Sequence, residues 1–389
     1  MDACLSRRQV LAMPLAMAAA AGAPPITRVE ALAAPYRVTS YFRFFTKPER
    51  PSVFIKITCE DGTVGWGQSV PLPTWSYETP ESVVSTIEQY LAPALVDANP
   101  FDLAGIHAAM EKTIAPSFST GMPIAKAGID LAVHDLMGKL AKCPVAQLWG
   151  RVPAKNITLS WTVNARDMKE AEQTVQEGRS RGYRHFNLKV APDPKFDLEL
   201  CRYVKKTVPD TFLWLDANGH YDVETALRLA PKFADLGADV WEQPVAPNRL
   251  SGLRDLKRQG ALPILLDEGV VSSVELTEFI RFGLLDGIAI KPARTAGLWD
   301  AKRQVEIAQQ AGLMVLGSGL TDPDVSLAAS LQLFGACKLE RPAALNGLQF
   351  LAASYLRKPF AQRGGELAVP AGYGLGVDVD EEKVRKGKA

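Results

Sequence analysis

The chain has few cysteines and no CxxC pair. Of five in 389 residues, Cys4 falls in a leader-like N-terminus, and Cys59, Cys143, Cys201 and Cys337 lie singly in apolar or mixed sequence. They read as buried free thiols rather than a disulfide framework or thiolate metal site. An excess of charge of one sign is also missing: 44 basic and 43 acidic side chains give a net charge of +1, with one short basic run at VRKGKA. Nucleic-acid binding needs a basic stripe or patch, so the expected partner is a small molecule. No run reaches the roughly 20 apolar residues of a membrane helix, so no membrane anchor is expected. Low-complexity tracts are absent beyond the N-terminus.

That N-terminus carries Ser6-Arg7-Arg8-Gln9-Val10-Leu11 ahead of an Ala-rich apolar run, LAMPLAMAAAAGA. The run is too short to span a bilayer and reads as a twin-arginine export signal, a frayed helix being the plainer alternative. Small-residue sites stand at Ala21-Gly22-Ala23 and Ala31-Leu32-Ala33. Pro24 disfavours the first, so a leader over residues 1–33, cleavage before Ala34 and a periplasmic location are expected.

The informative feature is a period. FLWLDANG, ADVWEQP and LPILLDEG each read as a buried strand that ends at an acid and then breaks, and Asp216, Glu242 and Asp267 stand 26 and 25 residues apart. One strand, one helix and two loops take about that many residues in a (β/α)₈ barrel, whose active site lies at the C-terminal ends of the strands. Acids at strand ends can simply cap the following helices. Three in register point instead to a hard cation held by oxygen, and Mg²⁺ fits three acids with positions left for water and substrate. One further period outward on each side stands a lysine, Lys189 in HFNLKV and Lys291 in DGIAIK. Either alone would be a snorkelling rim residue; flanking the acids, they are candidate acid/base groups. Asn218, Gln243 and Glu268 follow the acids closely enough to support them or to touch substrate.

Two strand-like segments, YRVTSYFRFF and SVFIKITCEDGTVGWGQ, and helical stretches over 81–95 and 125–148 predict a small α+β domain at 35–150. Strand and helix signals then alternate over 151–349, with eight strands from ITLSWTV to a short run near CKLE. An open doubly wound sheet shares this alternation; the count of eight favours a closed TIM-type barrel. A tail at 350–389 is punctuated by Pro and Gly. Aromatic residues cluster at Tyr41, Phe42, Phe44 and Phe45 and again at Trp75 and Tyr77, the latter pair being better placed for a lid over apolar or cationic substrate.

GWGQSVP, AKAGIDLAVHDLMGKLAKCPVAQLWG, the ordered series Lys189, Asp216, Glu242, Asp267, Lys291, and the late GYGLGVDVD together resemble the enolase superfamily, and within it the muconate lactonizing enzyme subgroup. The resemblance covers nearly all of the chain after the leader. It implies a modified (β/α)₇β barrel under an α+β capping domain to which the tail returns, a homo-oligomer, and Mg²⁺-dependent removal of the proton α to a substrate carboxylate through an enediolate. The mandelate racemase subgroup is disfavoured, because Gly317-Ser318-Gly319 stands where its histidine would be. Ser318 and His220 are then rim or substrate-side positions. One departure is Asn187, where the family often has the first lysine of a Lys-x-Lys pair; an amide donates a hydrogen bond but no charge. The expected reaction is racemisation or epimerisation of an amino acid or its derivative. Cycloisomerisation, dehydration of an acid sugar or hydroxyproline, and a non-catalytic periplasmic binding role are the alternatives. Asp322 and Asp324 in TDPD either meet a substrate ammonium group or start a helix.

Overall fold

The computed structural model describes residues 22–116 and 118–387. The cap is built on an antiparallel sheet in the order β1 (Ile26–Ala33), β4 (Val53–Cys59), β5 (Val64–Ser69), with short β2 (Tyr36–Val38) and β3 (Glu49–Arg50) to one side. Helix Pro123–Leu140 lies on β5 and β4 and is buried almost all round, as expected of a helix held between a sheet and a second domain. The approach is backbone on backbone. A Cβ at Gly67 would stand 1.9 Å from the Gly128 carbonyl oxygen and one at Gly65 2.2 Å from that of Ala132, so both glycines of GWGQ are there for contact. The first expected helical stretch contains a π turn at Ile87–Leu91, and the second ends at Leu140, where Lys142 turns left-handed, before a short helix resumes at Val145. A further helix, Leu103–Thr113, was not foreseen.

After β6 (Asn156–Thr158), seven parallel strands follow in sequence order: β7 (Ser160–Val163), β8 (His185–Lys189), β9 (Leu213–Asp216), β10 (Val240–Glu242), β11 (Ile264–Leu266), β12 (Gly287–Ile290) and β13 (Met314–Gly317). Phe212, Trp214, Val240, Leu265, Ala289, Leu316 and Ala344 fill the barrel interior. The eighth position is not at CKLE, where Cys337 ends a helix and Lys338 turns left-handed. It is Ala343–Ala344, which bridges to Leu159 on one side and Ser318 on the other. Ser160 N–H donates to Ala343 O at 2.9 Å and Ala344 N–H to Gly317 O at 2.8 Å, closing the ring. Two residues are too few to show the alternation that marks a strand in sequence. The tail lies against the cap: β14 (Leu351–Ala352) pairs with β2, and Lys56 meets Glu381 at 2.8 Å.

The leader boundary differs from expectation. Arg7-Arg8 lies outside the described residues, but residues 26–33 are β1, paired with β4 from Ile26↔Cys59 to Ala33↔Val53. Ile26 is fully buried and Val29 and Ala31 nearly so. Cleavage before Ala34 would strip out a strand of the cap sheet, and burial of Ile26 alone contributes about 1.5–3 kcal/mol. A chain beginning at Gly22 is therefore expected to unfold at a higher urea concentration than one beginning at Ala34, and mass spectrometry of the protein from its native cells should find an N-terminus ahead of Ile26.

Candidate active site

The barrel brings the five periodic residues to one mouth. Lys189, Asp216 and Glu242 end β8, β9 and β10, while Asp267 and Lys291 directly follow β11 and β12. None is more than 4% exposed. Lys189 is level with Asp216, and Asp216 with Glu242. The acids are not helix caps: Asp222 and Ser272 cap the helices that follow β9 and β11, and the helix after β10 starts at Leu250.

Their charges are answered unequally. Lys189 Nζ donates to Asp216 Oδ2, and Lys291 Nζ donates to Asp267 Oδ2. Asp267 has a second cation, with Arg294 Nη2 2.6 Å from its Oδ1. Glu242 has Lys291 Nζ only at 3.6 Å. Its Oε2 accepts from Trp214 Nε1 at 2.6 Å, and its Oε1 is buried with no hydrogen-bond partner. The titration directions follow. Burial, then Asp216 and Asp267, push Glu242 well above the usual carboxylate range despite the two lysines. Burial would also raise Asp267, but Arg294 and Lys291 outweigh it and hold that carboxylate low. Burial alone would lower Lys189; the charges of Asp216 and Glu242 win and keep its ammonium above the ordinary value.

The neighbours expected from sequence divide by role. Asn218 holds Asp216, its N–H donating to Oδ1 at 2.9 Å, and reaches Glu268 Oε1 at 3.0 Å. Trp75 Nε1 donates to that same oxygen at 2.7 Å, so Glu268 joins cap to barrel. Gln243 is buried and positions the end of the next strand: its Oε1 accepts from Asp267 N–H at 3.0 Å and Gly269 N–H at 3.1 Å. Ser318 is 4% exposed beside the eighth strand. Tyr77 is 62% exposed and lines, with Trp75, Asn218, His220 and Glu268, a cavity of about 970 Å³. Trp75 lies over the two lysines: its ring stacks on Phe44 at 4.7 Å, and its centre lies 5.4 Å from Lys189 Nζ and 4.7 Å from Lys291 Nζ. Phe42 and Phe44 belong to a buried aromatic cluster. Asp324 starts its helix and accepts from Ser354 Oγ and Tyr355 N–H, away from any ammonium role. Cys59, Cys143, Cys201 and Cys337 are buried and free.

Sequence reasoning missed Arg294 and Trp214. Arg294 follows Lys291 by three in the same loop, and Trp214 precedes Asp216 by two on the same strand face, so both had a positional signal.

Three carboxylates, with Glu242 Oε1 and Asp267 Oδ1 both buried and without a hydrogen bond, suit a hard cation. As they stand, however, no group of three or more His, Cys, Asp and Glu among the described residues is set to hold a metal ion. The ammonium groups of Lys189 and Lys291 are bonded to carboxylate oxygens such an ion would take.

Comparison with known proteins matches both domains of the chain. Residues 28–150 match the family described as mandelate racemase / muconate lactonizing enzyme, N-terminal domain, and 167–383 match the enolase C-terminal domain-like family. A chloromuconate cycloisomerase of Cupriavidus necator is 31% identical over 360 residues, covering 90% of this chain and 95% of that one. An N-succinyl-L-Arg/Lys racemase of Bacillus cereus is 26% identical over 362 residues, covering 92% and 95%. Among solved structures, a muconate lactonizing enzyme from Pseudomonas fluorescens complexed with muconolactone superposes with a TM-score of 0.86 at 26% identity, over 94% of this chain and all of that one.

A cation entering the acid cluster must displace a proton from Glu242 while that carboxyl is protonated. Mg²⁺ affinity is accordingly expected to rise with pH by up to about tenfold per unit. Calorimetry in two buffers of different ionisation enthalpy should show proton release, and Glu242→Gln should remove most of it.

Proposed function

This chain belongs to the mandelate racemase/muconate lactonizing enzyme family of the enolase superfamily, and on that premise we propose that it racemises or epimerises an amino acid derivative by moving its α-proton between Lys189 and Lys291. The observation that carries this reading is the span of Trp75. Both ammonium nitrogens lie within 5.4 Å of one ring centre, so a substrate taking the place of the indole would have its α-carbon in reach of two bases from strands two and six.

The proposed site residues divide the work. Asp216, Glu242 and Asp267 would hold Mg²⁺, which when bound stabilises the negative charge that grows on the substrate carboxylate as the α-proton leaves. Lys189 cannot accept a proton while its ammonium is paired with Asp216. Positive charge on the acids removes the attraction that raises it, and the burial of Lys189 then favours the neutral amine. Asn218 and Gln243 keep Asp216 and Asp267 in place. Glu268 fixes Trp75, and the cap loop excludes water once substrate is seated.

A second reading has its own support, since the Cupriavidus relative is named a cycloisomerase. Lactonisation would use one lysine to deliver or remove a proton and leave the other as a charge. Export of the folded chain through Arg7-Arg8 and assembly into a homo-oligomer belong to the same proposal, supported by the leader residues and by the family resemblance.

In D₂O with Mg²⁺, both enantiomers of a substrate should gain α-deuterium. Lys189→Ala and Lys291→Ala should each lower racemisation by at least about a hundredfold, while each keeps exchange with one enantiomer only. Loss of exchange with both enantiomers in either variant would remove the two-base scheme, and loss of muconate absorbance by the wild type would favour lactonisation.

A further inference from the structure

The loop that carries Lys291 is a compact turn. Lys291 O accepts from Arg294 N–H at 2.9 Å and from Thr295 N–H at 3.2 Å, and Gly297 N–H closes back on Pro292 O at 3.0 Å. Helix Leu298–Gln310 follows at once, so the placement of its first turn sets the placement of Lys291 and Arg294. The helices after β9 and β11 are capped by side chains of their own segments, Asp222 and Ser272. This one is not. Its N-cap is Gly297, which has no side chain to offer to the free N–H groups of the first turn.

The missing acceptor comes from the other domain. Asp130, on cap helix Pro123–Leu140, takes Leu298 N–H on its Oδ1. Gly297 has a φ of 103°, and a Cβ on it would stand 2.2 Å from that same oxygen. Glycine is therefore required there both by conformation and by the approach of the carboxylate.

Asp130 is fully buried, and burial by itself favours the neutral acid, a poorer partner for the positive end of a helix. Two imidazoles oppose this. His107 Nε2, from helix Leu103–Thr113, lies 2.8 Å from Oδ2, and His134 Nδ1, one turn along the cap helix, lies 3.2 Å from Oδ1 and 2.9 Å from Asp130 O. Burial would raise Asp130, but His134 and His107 outweigh it and hold the carboxylate low. His107 also stacks on Trp299, the second residue of the capped helix, with ring centres 5.7 Å apart. His134 Nε2 is buried with no hydrogen-bond partner, which leaves Asp130 as the group that ring serves.

We propose that His107, Asp130 and His134 form a positioning unit for Lys291, in which the cap carboxylate anchors the helix behind the loop and so holds that lysine, and not Lys189, in line with the substrate α-carbon. Lys189 is supported separately. It ends β8 itself, and the backbone after it is held by Arg43 Nη1 on Val190 O and Ala191 O and by Asp197, which takes Ala191 N–H at 2.7 Å. The effect on catalysis rests on the two-lysine reading above; the anchoring of the loop does not.

The test reads anchoring and catalysis apart on the full Mg²⁺-loaded protein. By mass spectrometry, backbone amides of residues 292–300 should exchange at least about fivefold faster in Asp130→Ala, while those of residues 190–197 stay unchanged. Asp130→Asn, whose amide oxygen can still take Leu298 N–H, should restore most of the protection. The catalytic probes are the N-acetyl and N-succinyl derivatives of L- and D-phenylalanine and of L- and D-lysine in D₂O. Asp130→Ala should slow α-deuterium uptake about tenfold for the enantiomer that Lys291→Ala also loses, and leave the other enantiomer and Mg²⁺ affinity unchanged. His107→Phe, which keeps the stack on Trp299 and removes the donor, should show a smaller loss with the same enantiomer, and it carries the comparison where Asp130→Ala does not fold. Equal slowing of both enantiomers, slowing confined to the Lys189 enantiomer, no slowing, or unchanged amide exchange over residues 292–300 would overturn the proposal. Absence of α-exchange by the wild type with every probe would count against the proton-transfer reading alone, and the amide exchange would then decide whether Asp130 anchors the loop.

Discussion

Asp216, Glu242 and Asp267 stand on adjacent strands with no more than 1% of their surface exposed, and two like charges about 4 Å apart at an effective dielectric near 20 repel by about 4 kcal/mol. Total folding stability is only about 5–15 kcal/mol. The cluster therefore persists only with positive charge set among it, and Lys189, Lys291 and Arg294 supply that charge. Three cations against three acids leave the fragment near neutrality, yet the distribution is uneven. Asp267 takes two partners and Glu242 none in direct contact, so the unmet demand sits at the middle strand, between the two lysines.

Placement of these groups depends on backbone that is unusual at the same strand ends. Asn218 and Gln243 have positive φ, at 45° and 36°, as does Ala191 after β8 at 66°. Non-glycine residues in that region store strain, and they persist where surrounding bonds over-determine them. Those bonds are visible: Asn218 N–H is held by Asp216, and the Gln243 side chain is tied to Val245 O at 2.9 Å as well as to Asp267 and Gly269 N–H. The cap is fixed with equal care. Asp135 on the buried cap helix accepts from Trp66 N–H at 2.8 Å and from Leu375 N–H at 2.9 Å, and Asp130 accepts from Leu298 N–H just past the Lys291 loop. One helix thus orients the lid strands, the returning tail and the loop that carries a proposed base.

The five central residues were legible in the sequence because they obey a period. A strand buried on both faces writes an apolar run, and a polar residue at its end marks the mouth whatever the rest of the domain does. Features that depend on contacts between distant segments left no such trace. Trp75 reads as a loop aromatic, and only the folded cap shows its indole bonded to Glu268 and resting near both lysines. The eighth strand failed for shortness, Ala343–Ala344 being held by bonds to its neighbours and not by any pattern of its own. The leader boundary failed for a related reason. ITRVEALA carries a small-residue ending that mimics a processing site, while its alternation of buried and exposed positions fits an outer strand of the cap sheet.

Membership of the family follows from the match of both domains, and relatives named as a cycloisomerase and as a racemase both match nearly the whole chain, so membership does not choose between those reactions. The choice lies with whatever holds the rest of the substrate. In this chain the ring is asymmetric: the acids and lysines stand on or directly after strands two through six. Trp75 imposes a further condition, since its ring now lies near both lysines. On the proposed reading, substrate entry displaces the indole and weakens its bond to Glu268. That links lid movement, through Glu268 and Asn218, to the carboxylate of Asp216, the group that restrains Lys189. Seating the substrate and freeing the base are in this way two ends of one hydrogen-bonded path.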